Sequence, residues 1–72
     1  MTIRAVNVRN RFKGRIKEIV PGPVVSEIDV ETSGGFVVTS VITSRSVKEL
    51  RLEVGKEVIA LVKSTEVSIA TL

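Results

Sequence analysis

The chain has 72 residues, 43% of them hydrophobic and 26% charged, with a formal net charge of +3 at pH 7 and neither Cys nor His. A chain this short is one domain at most and buries only about 60% of its unfolded surface, so assembly with further copies is expected where disulfides are impossible. The two zeros exclude thiol and imidazole nucleophiles, His-based acid/base chemistry, zinc sites and redox motifs.

Val and Ile supply 21 residues against 4 Leu and 3 Ala, a β-branched bias that favours strands over helices. No apolar run approaches the roughly 20 residues needed to span a bilayer, and residues 1–7 lack the apolar core of a signal peptide. Charge is unevenly placed. Residues 1–17 hold Arg4, Arg9, Arg11, Lys13, Arg15 and Lys17 without an acid, giving +6. The remaining five basic and eight acidic side chains give −3. A basic end on a mildly acidic body fits an anionic partner, the complementary surface of another subunit, or simply a solvated strand face.

In chain order, Arg11 to Val20 is the first predicted strand. Phe12, Gly14 and Ile16 share one parity, and Ile19 breaks it, which predicts a bulge or strong coiling. Pro21-Gly22-Pro23 is a turn, because neither a helix nor a central strand passes through it. Val24 to Glu31 alternates as a half-buried strand. Ser33-Gly34-Gly35 reads as a hairpin turn, followed by a strand over Phe36 to Thr43. Segment 44–52 reads as one short helix, with Ser46 and Glu49 at capping-box spacing and Val47 and Leu50 on an apolar stripe. Glu53-Val54-Gly55-Lys56 is a third turn, Glu57 to Lys63 a strand that is apolar on both faces, and Glu66 to Ala70 a short last strand. The two-sided apolar strand predicts contact with another chain. Five strands with a helix after the third give an all-β, five-stranded OB-like barrel, expected to be oligomeric.

Catalysis has little to work with. Glu27, Asp29 and Glu31 alternate on one outward strand face, and nothing separates their environments as paired catalytic carboxylates require. No Gly-rich nucleotide-binding pattern is present. Single-stranded nucleic acid binding relies on aromatic platforms, whereas Phe12 and Phe36 are the only aromatic residues and read as core. A small oxyanion needs N–H and O–H donors with positive charge and no carboxylate nearby. Asn7 and Arg9 lie two residues apart on one strand face, and Lys63-Ser64-Thr65 closes a strand. Thr43-Ser44-Arg45-Ser46 opens the predicted helix. Each cluster also has a plain structural reading, helix capping for Thr43 and Ser46 and a solvated turn for Lys63-Ser64-Thr65.

Asn7-Val8-Arg9-Asn10-Arg11-Phe12-Lys13-Gly14 resembles the S-A-R-N-Q-[FW]-x-G opening of Mop domains, the molbindins. The resemblance continues through Val41 to Ser46, Leu52 to Val58, Leu61 to Thr65 and Val67 to Ala70, so one Mop domain would fill residues 1–72. It implies an OB-like, non-enzymatic, cytoplasmic protein that binds molybdate or tungstate for storage and homeostasis. The expected assembly is a homo-hexamer built as a trimer of dimers, with the anion at subunit interfaces. One chain would contribute Asn7, Arg9, Lys63 and Ser64, and its neighbour Thr43 and Ser46. A second class of site near the threefold axis would draw on Gly22, Val24 and Ser26. Asn7 stands where the family has Ser, and Arg11 where it has Gln. The alternatives are an interaction or regulatory module of a molybdate transport or regulation system and, less favoured, a nucleic-acid binder. No membrane partner is expected.

Overall fold

The computed structural model describes residues 6–72. Four strands form, β1 (Asn10–Val20), β2 (Val25–Thr32), β3 (Val37–Thr43) and β4 (Glu57–Val62). A helix, α1 (Ser44–Glu49), connects β3 to β4, and a single 3-10 turn (Ser64–Glu66) follows β4. The strands lie in the order β3-β2-β1-β4, and every pairing is antiparallel.

The period-two pattern decides which face each side chain takes. Along β1, Arg11, Lys13, Arg15 and Lys17 are exposed while Gly14 and Ile16 are buried. The register then passes from Ile16↔Val30 to Glu18↔Asp29, so Lys17 is the extra residue of a β-bulge. That extra residue returns Ile19 to the inner face, where it packs on the core. The parity break read from the sequence is this bulge.

β1 is shared between two partners. Residues 14–20 pair with β2 and residues 10–15 with β4, so only Gly14 and Arg15 are paired on both sides. At Gly14 a Cβ would run into the Glu31 carbonyl oxygen and stand 2.8 Å from the Thr32 Cα. Glycine is therefore what allows β2 to close against β1 there.

Ile16, Ile28 and Val30 form the buried core, with Ile19, Ile42, Val47, Leu52 and Val58 packed against it. Each such side chain withdrawn from water contributes roughly 1.5–3 kcal/mol before the entropy of ordering is counted. β3 and β4 are not hydrogen-bonded to each other, yet Val38 and Ile42 line the same apolar groove of about 290 Å³ as Val58 and Val62. The sheet is thus curled into a half-barrel that stays open between its two edge strands.

Four expectations need correcting. The described chain contains no fifth strand, because Val67 to Ala70 find no neighbouring strand to pair with, and Ile69 is 87% exposed. β-propensity describes how a side chain fits a pleated surface, and without a partner strand it forms nothing. The helix is capped three residues earlier than the Ser46–Glu49 spacing suggests. Thr43 is the N-cap, and its Oγ1 accepts from the Ser46 N–H at 3.0 Å. The helix also ends sooner, at Glu49, because Arg51 takes a φ of +53°. The Arg51 N–H bonds the Lys48 carbonyl while the Leu52 N–H bonds the Val47 carbonyl, a Schellman closure, and both Val47 and Leu52 pack against the core. Lys56 Nζ donates to the Leu50 and Arg51 carbonyls at 2.9 and 3.1 Å, adding a cation at the negative end of the helix. Finally, Phe12 and Phe36 stand at the rim rather than in the central core. They meet edge to face with centroids 5.3 Å apart, and Phe36 remains 47% exposed.

Candidate functional site

The distant ends of the described chain meet at one end of the β1–β4 ladder. The last pair in that direction is Asn10↔Val62. Beyond it, Asn7, Val8 and Arg9 face Lys63, Ser64 and Thr65 across a cleft of about 360 Å³. The lining offers a carboxamide, a guanidinium, an ammonium and two hydroxyls, with no Asp or Glu. The 3-10 turn fixes the far wall, through Glu66 N–H to the Lys63 carbonyl at 2.9 Å and Val67 N–H to the Ser64 carbonyl at 3.4 Å. Four of the residues singled out from sequence, Asn7, Arg9, Lys63 and Ser64, thus come together from opposite ends of the chain. Such a set of donors and fixed positive charge can hold a fully deprotonated anion, and it has no acidic group to repel one.

Thr43 and Ser46 lie elsewhere. A second cleft, of about 560 Å³, is lined by Pro23, Val24, Thr43, Ser44, Arg45 and Lys48, and it shares no residue with the first. Thr43 Oγ1 accepts the Ser46 N–H and also donates to Ser46 Oγ at 2.8 Å. The capping reading of this pair therefore describes the bonds that Thr43 makes within the chain. The Ser46 hydroxyl accepts from Thr43 and keeps its own proton to donate.

The three residues named for a second class of site part company. Val24 is 72% exposed and lines the second cleft. Gly22 and Ser26 belong to an internal ring with Ser44. Ser44 Oγ donates to the Gly22 carbonyl at 2.6 Å, Ser26 and Ser44 share a hydroxyl–hydroxyl bond of 2.7 Å, and Gly22 N–H reaches Ser26 Oγ at 3.4 Å. Ser26 is only 3% exposed, so its hydroxyl is held inside by this ring. The ring ties the Pro21-Gly22-Pro23 turn to the first residue of α1.

Two residues near these clefts appear in the sequence only within longer runs, with no role of their own assigned. Asn10 Nδ2 donates to the Val62 carbonyl at 3.1 Å, immediately behind the first cleft. Ser44 closes the ring beneath the second. Asn10 carried a faint signal, an amide beside the Arg9 guanidinium at the predicted start of a strand. Ser44 stood in the Thr43-Ser44-Arg45-Ser46 cluster, but nothing local marked its partners, which lie 18 and 22 residues away.

On the outer face the basic row is matched by acids across the strands. Glu57 pairs with Lys13 at 3.6 Å and with Arg15 at 3.7 Å, and Glu31 pairs with Lys17 at 3.9 Å. Exposed pairs of this kind contribute little to stability. On β2 the Glu27 carboxyl is pushed above its ordinary value, chiefly by the neighbouring Asp29 charge, with desolvation, a hydrogen bond to Asp29 and Glu18 adding to it. Among the described residues no group of three or more acidic side chains is placed to hold a metal ion, and no helix is long and apolar enough to cross a membrane.

A curled antiparallel half-barrel with one short helix and an acid-free donor cleft at a strand end defines a small OB-like β module. Residues 7–69 match the TOBE domain, and the chain belongs to that family, in its Mop branch. It is 39% identical over 64 residues to a probable molybdenum-pterin-binding protein of Haemophilus influenzae, covering 89% of this chain and 93% of the relative. MopII of Clostridium pasteurianum, solved in an apo form, superposes with a TM-score of 0.88 at 39% identity, covering 93% of this chain and all of that one. A molybdate-binding protein from Sporomusa ovata gives 0.87 at 36% identity, covering 93% and 98%. ModG, a cytoplasmic molybdate-binding protein solved with molybdate bound, gives 0.82 at 32% identity, covering 86% of this chain and 44% of that one.

Proposed function

We propose that this chain is a cytoplasmic, non-enzymatic binder of molybdate or tungstate that serves storage and homeostasis of the oxyanion. The observation that carries the reading is the convergence of Asn7, Arg9, Lys63 and Ser64 in one cleft without an acid. Molybdate is a dianion at neutral pH with four acceptor oxygens and no proton to give. Donor groups alone satisfy it, and a hydrogen-bearing anion such as hydrogen phosphate meets no carboxylate to accept its proton. Relatives that bind molybdate or molybdenum-pterin support the same ligand class.

The anion is held between copies of the chain. Thr43 and Ser46 line no part of the Asn7–Lys63 cleft, so one chain brings together four of the six donor residues that the Mop resemblance implies. A second copy bringing its Thr43–Ser46 cluster would complete the shell, in a hexamer arranged as a trimer of dimers. Val24, with Gly22 and Ser26 behind it, would serve the second class of site. Ile59 on the outer face of β4, and Leu61 beside it at 44% exposed, provide apolar surface for such an assembly.

Calorimetric titration with molybdate, tungstate, sulfate and phosphate tests the ligand. Heat with molybdate and tungstate but little with sulfate or phosphate is expected; silence with molybdate, or tighter sulfate binding, refutes the proposal. Native mass measurement with bound anions tests the assembly, and a monomer that retains molybdate would refute the shared site.

A further inference from the structure

We infer that Asn10 is a positioning residue for the oxyanion cleft, setting the gap between its two walls without touching the anion. The inference rests on the proposed function of that cleft. The two walls, residues 7–9 and 63–65, both lie beyond the end of a ladder whose last pair is Asn10↔Val62. Among the described residues, no backbone hydrogen bond outside the ladder joins one wall to the other. At that last pair the ladder is reinforced by the Asn10 side chain, whose Nδ2 donates to the Val62 carbonyl at 3.1 Å. Val62 directly precedes Lys63, and Arg9 directly precedes Asn10. One side-chain bond therefore ties the residue that follows Arg9 to the peptide that leads into Lys63.

Asn10 suits this task and no direct one. It is part-buried, whereas Arg9 and Lys63 are exposed, and it does not line the cleft. It braces the ladder at the pair where the main-chain pairing ends. An anion site built on exposed, flexible Lys and Arg side chains gains affinity when its backbone supports are held in advance. Supporting residues of this kind typically alter metal affinity tenfold or more when removed, and one neutral hydrogen bond corresponds to about a fivefold change. A fivefold to tenfold effect is the expectation for Asn10.

The role is separable from general stability by comparing Asn10→Leu, which keeps the volume and loses the donor, with Asn10→His. At pH 8 the neutral imidazole can place an Nδ1–H where the amide nitrogen stood. Each protein is titrated with molybdate and with sulfate, and its thermal midpoint and native mass are recorded without anion. Asn10→Leu should bind molybdate five to ten times more weakly and lose part of its preference over sulfate, since a looser gap adapts to a smaller anion. Its native mass should be unchanged, and Asn10→His should recover most of the preference. Unchanged affinity and preference in Asn10→Leu would overturn the inference. So would a loss of folding in Asn10→Leu, or a loss of affinity with the molybdate preference intact, since either makes the residue merely structural. If the unsubstituted protein itself fails to bind molybdate, the functional reading falls, and this inference falls with it by a separate measurement.

Discussion

The hydroxyl ring beneath α1 gives a stability prediction that can be worked bond by bond. Ser26→Ala removes the 2.7 Å bond to Ser44 and leaves the Gly22 N–H without its 3.4 Å acceptor. A buried neutral hydrogen bond contributes about 1 kcal/mol net, and an orphaned donor adds to the loss, so a cost of about 1–2 kcal/mol is expected. For a chain of this size each kcal/mol lowers the melting midpoint by about 4–8 °C, which predicts a fall of roughly 4–16 °C. Ser44→Ala breaks the same shared bond together with the 2.6 Å bond to the Gly22 carbonyl, at a cost of about 2 kcal/mol. In the double variant the shared bond is lost only once. The two single effects should therefore exceed the double by about 1 kcal/mol, whereas independent sites add to within about 0.5 kcal/mol. Urea and thermal unfolding followed by circular dichroism, at one fixed protein concentration, measure all four corners of the cycle. Additive effects, or a Ser26→Ala protein that melts with the parent, would refute the ring as a cooperative unit.

Three further outcomes follow from other parts of the molecule. Arg9→Ala and Lys63→Ala should each weaken molybdate binding by about tenfold to a hundredfold, the size of a lost charge-assisted bond, while native mass stays constant; equal loss of assembly would make these residues structural. Arg51→Gly should raise stability by about 0.5–1 kcal/mol in chemical denaturation, because the left-handed conformation at φ +53° costs about 1–2 kcal/mol for a residue with a Cβ, and glycine returns part of that through unfolded-state entropy. Glu27→Gln should stabilise at neutral pH by removing repulsion with Asp29. Since the folded state raises the Glu27 pKa, the folded chain binds its proton more readily than the unfolded one. The stabilisation by Gln should then fade as pH falls through the carboxylate range and shrink with added salt, and a gain independent of pH would exclude the repulsion.

How much of this was legible in the sequence depends on the range of the interaction. The four strands follow from alternation and turn chemistry, both local. Even the bulge at Lys17 is visible, because Ile19 falls on the wrong parity for an inner position. The donor residues Asn7, Arg9, Lys63 and Ser64 were legible from the residues alone as two separate clusters, and the Mop resemblance alone put them in one site; the β1–β4 register is what brings them together. The Val67 to Ala70 segment misled because side-chain pattern says nothing about whether a partner strand is available. The Ser46–Glu49 spacing misled for a related reason, while the capping reading of Thr43 is borne out. Thr43 is followed at its third position by Ser46 rather than Glu, so the pair that actually closes the turn lacks the usual signature. The Ser26–Ser44 ring and the Asn10 clamp are single contacts between remote residues, and no local pattern announces them.

The pairing of Asn10 with Val62 also has a temporal consequence. A ribosome releases residues 7–9 more than fifty positions before residues 63–65, so the cleft has no second wall until β4 has emerged. Closing contacts across more than fifty positions is slow compared with forming the β1–β2 hairpin. On the proposed function, anion capacity is therefore acquired in one late step, and a chain cut directly after Val62 would keep its four strands and lose one wall of the cleft.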